Sequence, residues 1–86
     1  MTAREVMIMD KKVRVFGTPT CPYCDYAKDF LKESKVAFEY IDVSRDQEKA
    51  REMVELSGQM GVPVIQIGDE IIVGFDKVAI KKALGM

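Results

Sequence analysis

Between residues 12 and 84 the hydrophobic pattern changes period again and again, and this switching constrains the fold more than any other feature of the chain. A strand sends alternate side chains to one face, whereas a helix returns to the same face every three or four residues. "KVRVF" (12–16) alternates and is rich in β-branched residues, so it predicts a first strand, ended by Gly17. From Pro22 to about Ser34, Tyr23, Ala27, Phe30 and Leu31 fall on one helical face, with Asp25, Lys28, Asp29, Lys32 and Glu33 off it. "VAFEYI" (36–41) predicts a second strand. Ser44 and Gln47 have the spacing of a capping box, opening a helix whose stripe is Ala50, Met53, Val54 and Ser57 and whose stop is Gly58.

"VPVIQI" (62–67) and "EIIV" (70–73) are joined by Gly68 and Asp69, a pair suited to a tight turn with positive φ, so these strands are expected to be antiparallel. Asp76 reads as the N-cap of a last helix, with Phe75 and Ile80 stapling its entry, Lys81 and Lys82 suiting its C-terminal end, and Gly85 closing it. The order is βαβαββα. It predicts an α/β fold with a four-stranded mixed sheet sandwiched by three helices, in which both helical crossovers join parallel strands. Residues 11–86 form one domain in this reading, and residues 1–10, which lack a clear period, form an N-terminal extension whose role the sequence leaves undetermined.

Charge excludes several function classes. With 13 basic and 14 acidic residues spread along the chain, no basic stripe is available to neutralise phosphates or lie on an anionic membrane. The apolar run Val6 to Met9 is too short for a signal-peptide core or a membrane span, so the expected partners include neither nucleic acid nor membrane, and the expected compartment is the cytoplasm. A monomer is expected. The chain has no histidine, which removes the commonest general base and metal ligand.

Both cysteines lie in "GTPTCPYCDYAK" (17–28). As a strut, a bridge closing so small a loop would contribute only about 2 kcal/mol. As a closed zinc site, two thiolates without imidazole are too few ligands. An iron–sulfur cluster shared between two chains stays open as a reading, with Cys21 as a ligand and external thiols completing the set. Redox chemistry explains most of the local sequence. Cys21 stands at a predicted N-cap and Pro22 at the first helical position, where its missing N–H costs nothing. The N–H groups of Tyr23 and Cys24 are then expected to face the Cys21 sulfur and, with the positive helix end, to stabilise its thiolate. Cys21 is therefore the candidate nucleophile and Cys24 the candidate resolving thiol. Asp25 opposes a second negative charge in the same turn.

"TCPYC" after a first strand, together with "ELSGQMGVPVIQIGDEIIVGFDK" (55–77), resembles the glutaredoxins of the thioredoxin superfamily over essentially the whole stretch from Lys12 to Leu84. The resemblance implies a dithiol–disulfide oxidoreductase acting on protein disulfides or glutathione mixed disulfides. It implies no tightly bound cofactor, with glutathione as co-substrate. It also assigns Cys21 as the attacking and Cys24 as the resolving thiol, and makes Pro63 a cis-proline beside them. The backbone of Val62 would then pair with an extended substrate, and Pro22 and Tyr23 would flank the sulfur. Gly74, Phe75 and Asp76 match the stretch that grips glutathione in that family. Here the pattern departs: Val73 stands where the family has a glycine, Lys77 where it has an acid, and Thr18 where many members carry a lysine. "GF" at 74–75 is also similar to the small redoxins that serve ribonucleotide reductase and take electrons from a flavin-dependent thioredoxin reductase. The electron donor is accordingly left open between glutathione and such a reductase.

Overall fold

The computed structural model describes residues 12–85; the N-terminal extension expected over residues 1–10 lies outside them. The elements run β1 (Val13–Gly17), α1 (Pro22–Glu33), β2 (Glu39–Asp42), α2 (Gln47–Ser57), β3 (Val64–Ile67), β4 (Glu70–Val73) and α3 (Lys77–Leu84). They form one four-stranded sheet in the order β2-β1-β3-β4. β1 pairs in parallel with β2, and β3 pairs antiparallel with both β1 and β4.

The second helical crossover thus corrects the sequence reading, because β2 and β3 run in opposite directions. A parallel pair needs a crossover, but a crossover does not oblige its strands to be parallel, and these two are separated by β1. In the register, Phe16 of β1 lies beside both Ile41, near the end of β2, and Val64, the start of β3. The chain therefore leaves β2 and enters β3 at the same end of the sheet. β4 finishes at that end too, since Val73 pairs with Val64. Four junctions are gathered there: the turn from β1 into α1, the exit from β2, the approach to β3, and the exit from β4.

Strand alternation divides the interior into two cores. Val13, Val15, Ile65, Ile67 and Ile72 face α1 and α3, which contribute Ala27, Leu31, Ile80 and Ala83. Phe16, Ile41 and Val64 face α2 and its Met53. Arg14, on the same side as Phe16, is held there by polar partners. Its Nε donates to Gln66 Oε1 at 2.6 Å and its guanidinium reaches Glu52 Oε2 at 2.7 Å. That bond is the main reason the Glu52 carboxyl is held below the usual range.

Helix ends follow local chemistry, with one substitution of roles. Asp76 caps α3 as expected, accepting from Ala79 N–H at 3.1 Å. At α2 the cap is Asp46, which accepts from Lys49 N–H at 3.1 Å, and the expected box of Ser44 with Gln47 does not form. Ser44 instead turns back, its backbone N–H and hydroxyl both donating to Asp42 Oδ1. Asp46→Ala is therefore expected to cost about 1 kcal/mol, against less than about 0.5 kcal/mol for Ser44→Ala, by thermal or denaturant unfolding.

α1 ends in a Schellman-type turn in which Val36 N–H reaches Leu31 C=O at 2.9 Å and Lys35 takes φ of 59°. Because a lysine rather than a glycine fills the left-handed position, the stop is poorly marked in the sequence. β2 accordingly starts at Glu39 rather than 36, although Val36 and Phe38 still pack on the core. β3 likewise starts at Val64 rather than 62, the preceding Val62–Pro63 bond being cis.

Candidate functional site

The site is built where β1 gives way to α1. Cys21 is the N-cap of α1, with φ −100° and ψ 110°, and Pro22 occupies the first helical position. Of the two N–H groups expected to face its sulfur, the one that bonds it is that of Cys24, at 3.2 Å. The Cys21 thiol also lies 3.9 Å from the carbonyl oxygen of Val62, to which it donates. That contact exists because β3 is antiparallel to β1, which brings the residues before β3 to the end of β1.

The two thiols are both free but differ in setting. Cys21 is partly exposed, whereas Cys24 is fully buried. Burial first, and then the neighbouring Cys21 sulfur, push the Cys24 thiol up from an ordinary 9.0 to about 12. A partly exposed sulfur at a helix N-terminus and a buried one that stays protonated at neutral pH are suited to different steps of thiol exchange. Below pH 9 Cys24 is neutral in both folded and unfolded chains and its contribution to stability is complete; that contribution is lost as pH rises toward 12.

The buried stripe of α1 runs Cys24, Ala27, Leu31, with Phe30 partly buried against the same core, so the predicted face holds except that Cys24 takes the place of Tyr23. Tyr23, expected on that face, is 60% exposed. Its ring meets that of Tyr26 edge-on, with centroids 5.7 Å apart. Tyr26 in turn lies 6.3 Å from Phe75, and Phe75 lies 6.2 Å from Phe30. Phe75 thus joins the exit from β4 to α1.

The other predicted site residues gather at the same end of the sheet. Pro63 is buried, and its carbonyl accepts from Gly74 N–H at 2.8 Å, tying the approach to β3 to the exit from β4. Gly74 has φ of 82°, a conformation that favours glycine. The Asp76 carboxylate is engaged in capping α3. Val73 is exposed. Thr18 accepts from Cys21 N–H through its backbone carbonyl, at 3.3 Å.

Sequence reasoning missed the wall behind Cys24. A Cβ added at Gly17 would fall 2.7 Å from Cys24 Sγ and 3.1 Å from Tyr40 Cε1, so any larger residue there forces the buried sulfur to move. Tyr40 completes the wall, its hydroxyl pushed up by burial and then by Cys24, and Lys28 Nζ sits 4.1 Å over its ring while 3.5 Å from Asp25. A strand-ending glycine four residues before a cysteine is a faint signal; Tyr40 belongs to another strand and gives none.

Among the described residues no three of His, Cys, Asp and Glu come together as a metal site, and no helix is long and apolar enough to cross a membrane.

Known proteins share this fold and sequence pattern. The family model described as glutaredoxin matches residues 13–72, well over half of the chain. A glutaredoxin-like 8.6 kDa protein of the rubredoxin operon of Clostridium pasteurianum is 43% identical, the match covering 84% of this chain and 96% of that protein. The glutaredoxin grx-1 of Archaeoglobus fulgidus superposes with a TM-score of 0.80 at 28% identity, covering 87% of each chain. NrdH-redoxin of Escherichia coli, described as a glutaredoxin-like protein with a thioredoxin-like activity profile, superposes with a TM-score of 0.74 at 27% identity, covering 83% of this chain and 92% of that one. By family match, sequence relatives and fold, the chain belongs to the glutaredoxins of the thioredoxin superfamily.

Proposed function

We propose that the chain is a dithiol–disulfide oxidoreductase in which Cys21 is the nucleophile and Cys24 the resolving thiol. The observation that carries this reading is the contrast between a partly exposed Cys21 sulfur, bonded by a helix N-terminal N–H at 3.2 Å, and a fully buried Cys24. In the first step the Cys21 thiolate attacks one sulfur of a substrate disulfide. The substrate S–S bond breaks, a mixed disulfide forms on Cys21, and the departing thiolate takes a proton from solvent. In the second, Cys24 gives up its proton and attacks Cys21 Sγ. The Cys21–Cys24 disulfide forms and the second substrate thiol leaves carrying a proton. Two electrons and two protons from an external donor restore the dithiol.

The donor is glutathione or a flavin-dependent thioredoxin reductase, the substrates are protein disulfides or glutathione mixed disulfides, and no tightly bound cofactor is needed. A cytoplasmic monomer suits this chemistry, since a reducing compartment keeps both thiols available. A second reading, a redoxin supplying ribonucleotide reductase, is favoured by the likeness to NrdH-redoxin and by Gly74 and Phe75. The two readings share the same cysteine chemistry and differ in donor.

The experiment is turnover of a disulfide-bonded protein by the reduced chain, with glutathione plus glutathione reductase in one arm and thioredoxin reductase in the other. Turnover in either arm supports the oxidoreductase reading and identifies the donor. Reduction no faster than the uncatalysed background in both arms overturns it.

A further inference from the structure

Whatever reacts with Cys21 must lay the groups beside its own sulfur over the residues beside Cys21, so the surface there selects the substrate. That surface is aromatic. Tyr23 and Tyr26 are 60% and 53% exposed, and the row of rings they begin runs on through Phe75 to Phe30 at centroid spacings of 5.7, 6.3 and 6.2 Å. Tyr23 and Tyr26 are the exposed pair of the row, backed by Phe75 and Phe30, which are half-buried against the core; adjacent exposed aromatics, rather than ones scattered singly, are the usual make-up of an interaction surface. Tyr and Trp dominate such contacts because one ring offers a large rigid area and a polar edge. From the loop that touches the Cys21 sulfur through Val62, Met60 projects with 81% of its surface exposed, adding a flexible apolar contact.

The lysines beside this surface are engaged within the chain rather than presented to a small dicarboxylate ligand such as glutathione. Lys28 is drawn to Asp25 at 3.5 Å and lies over Tyr40, and Lys77 lies over the Phe30 ring at 5.4 Å. A ligand held mainly through its carboxylates would need cations presented to it. A polypeptide with apolar side chains near its disulfide needs rings.

We infer that the row Tyr23–Tyr26–Phe75 is a docking surface for the polypeptide flanking a protein disulfide, and that it makes Cys21 prefer disulfides with apolar neighbouring residues over the glutathione mixed disulfide. Tyr26 is the specificity-determining residue on which this turns. It bridges Tyr23 to Phe75, and more than half of it is exposed. The inference rests on the proposed role of Cys21 and deepens it by naming the substrate class.

The test is a single-turnover comparison with pre-reduced protein and no external reductant, quenched in acid and analysed by chromatography. The substrates are two peptides of equal net charge, each with one cysteine disulfide-linked to 2-mercaptoethanol, flanked on both sides by Phe and Leu in one and by Ser in the other. Glutathione linked in the same way is the third substrate, and bis(2-hydroxyethyl) disulfide is the reference. The wild-type chain is expected to react with the apolar peptide about tenfold faster than with the serine peptide or the glutathione disulfide, the scale of roughly one aromatic contact. Tyr26→Ala is expected to lose most of that preference and Tyr26→Phe to keep it, with unchanged rates on the reference disulfide in both. Matching melting curves for the two variants separate lost contact from lost fold. Equal rates on the two peptides, a faster reaction with the glutathione disulfide, or a preference surviving in Tyr26→Ala overturns the docking surface. Failure of the wild type on the reference disulfide would instead overturn the role of Cys21 itself.

Discussion

Cys21→Ser is expected to reduce disulfide turnover to the uncatalysed rate, whereas Cys24→Ser keeps part of the exchange with small mixed disulfides and loses the reduction of protein disulfides. The asymmetry follows from position. Cys21 caps α1 with its sulfur partly exposed and faced by Cys24 N–H, so its removal leaves no accessible thiol among the described residues. Cys24 is fully buried and pushed up to about 12, so at neutral pH it is a poor attacker of anything but a sulfur already delivered beside it. Glutathione can replace Cys24 as the second attacker on a small adduct, but it cannot supply the fast intramolecular release that frees a bulky protein from Cys21. Turnover of both substrate types by the two variants, each normalised to wild type, measures the split.

Leu31→Ala should have the largest effect on stability. Leu31 is fully buried in the core between the sheet and the α1–α3 layer, and α1 is the helix that carries both cysteines. Truncation leaves a cavity as well as losing apolar contact, at a cost of about 2–5 kcal/mol. Against a total of about 5–15 kcal/mol for a small domain, that is a substantial share. At about 4–8 °C per kcal/mol, the melting midpoint should fall by roughly 10 °C or more. Val78→Ala on α3, where the valine is 65% exposed, should change stability by less than about 0.5 kcal/mol. Denaturant unfolding of the two variants beside wild type decides whether burial, rather than helix membership, sets the difference.

Local signals in the sequence located the elements well where a single residue type settles the backbone. The Gly68–Asp69 turn, the Asp76 cap and the Gly58 and Gly85 stops are all of this kind, and each stands where its chemistry requires. Competition between neighbours was harder to read. Ser44 and Asp46 both suit an N-cap, and the choice fell to Asp46 because Ser44 is drawn to Asp42, the last residue of β2. Similarly, Ala27, Phe30 and Leu31 pack on the core as expected while Cys24 replaces Tyr23 in the first turn, a one-residue difference too small for periodicity to resolve.

Sheet order was the larger gap. Crossover length leaves strand direction open, yet the reversed β3 is what carries Val62 to the Cys21 sulfur and Gly74 to Pro63. The cis geometry of the Val62–Pro63 bond was accessible only through the family resemblance, since proline by itself favours trans. Gly17 and Tyr40 became visible as the wall behind Cys24 once β1, β2 and α1 were packed together.

The most direct test of the division of labour between the cysteines is to map the mixed disulfide. Reduced wild-type, Cys21→Ser and Cys24→Ser chains are mixed with excess bis(2-hydroxyethyl) disulfide at neutral pH, quenched in acid, digested and analysed by mass spectrometry. The expected result is an adduct on Cys21 in Cys24→Ser, an adduct-free Cys21–Cys24 disulfide in wild type, and an essentially unmodified Cys24 in Cys21→Ser. An adduct forming on Cys24 as fast as on Cys21, or persisting on wild type in place of the intramolecular disulfide, would contradict it.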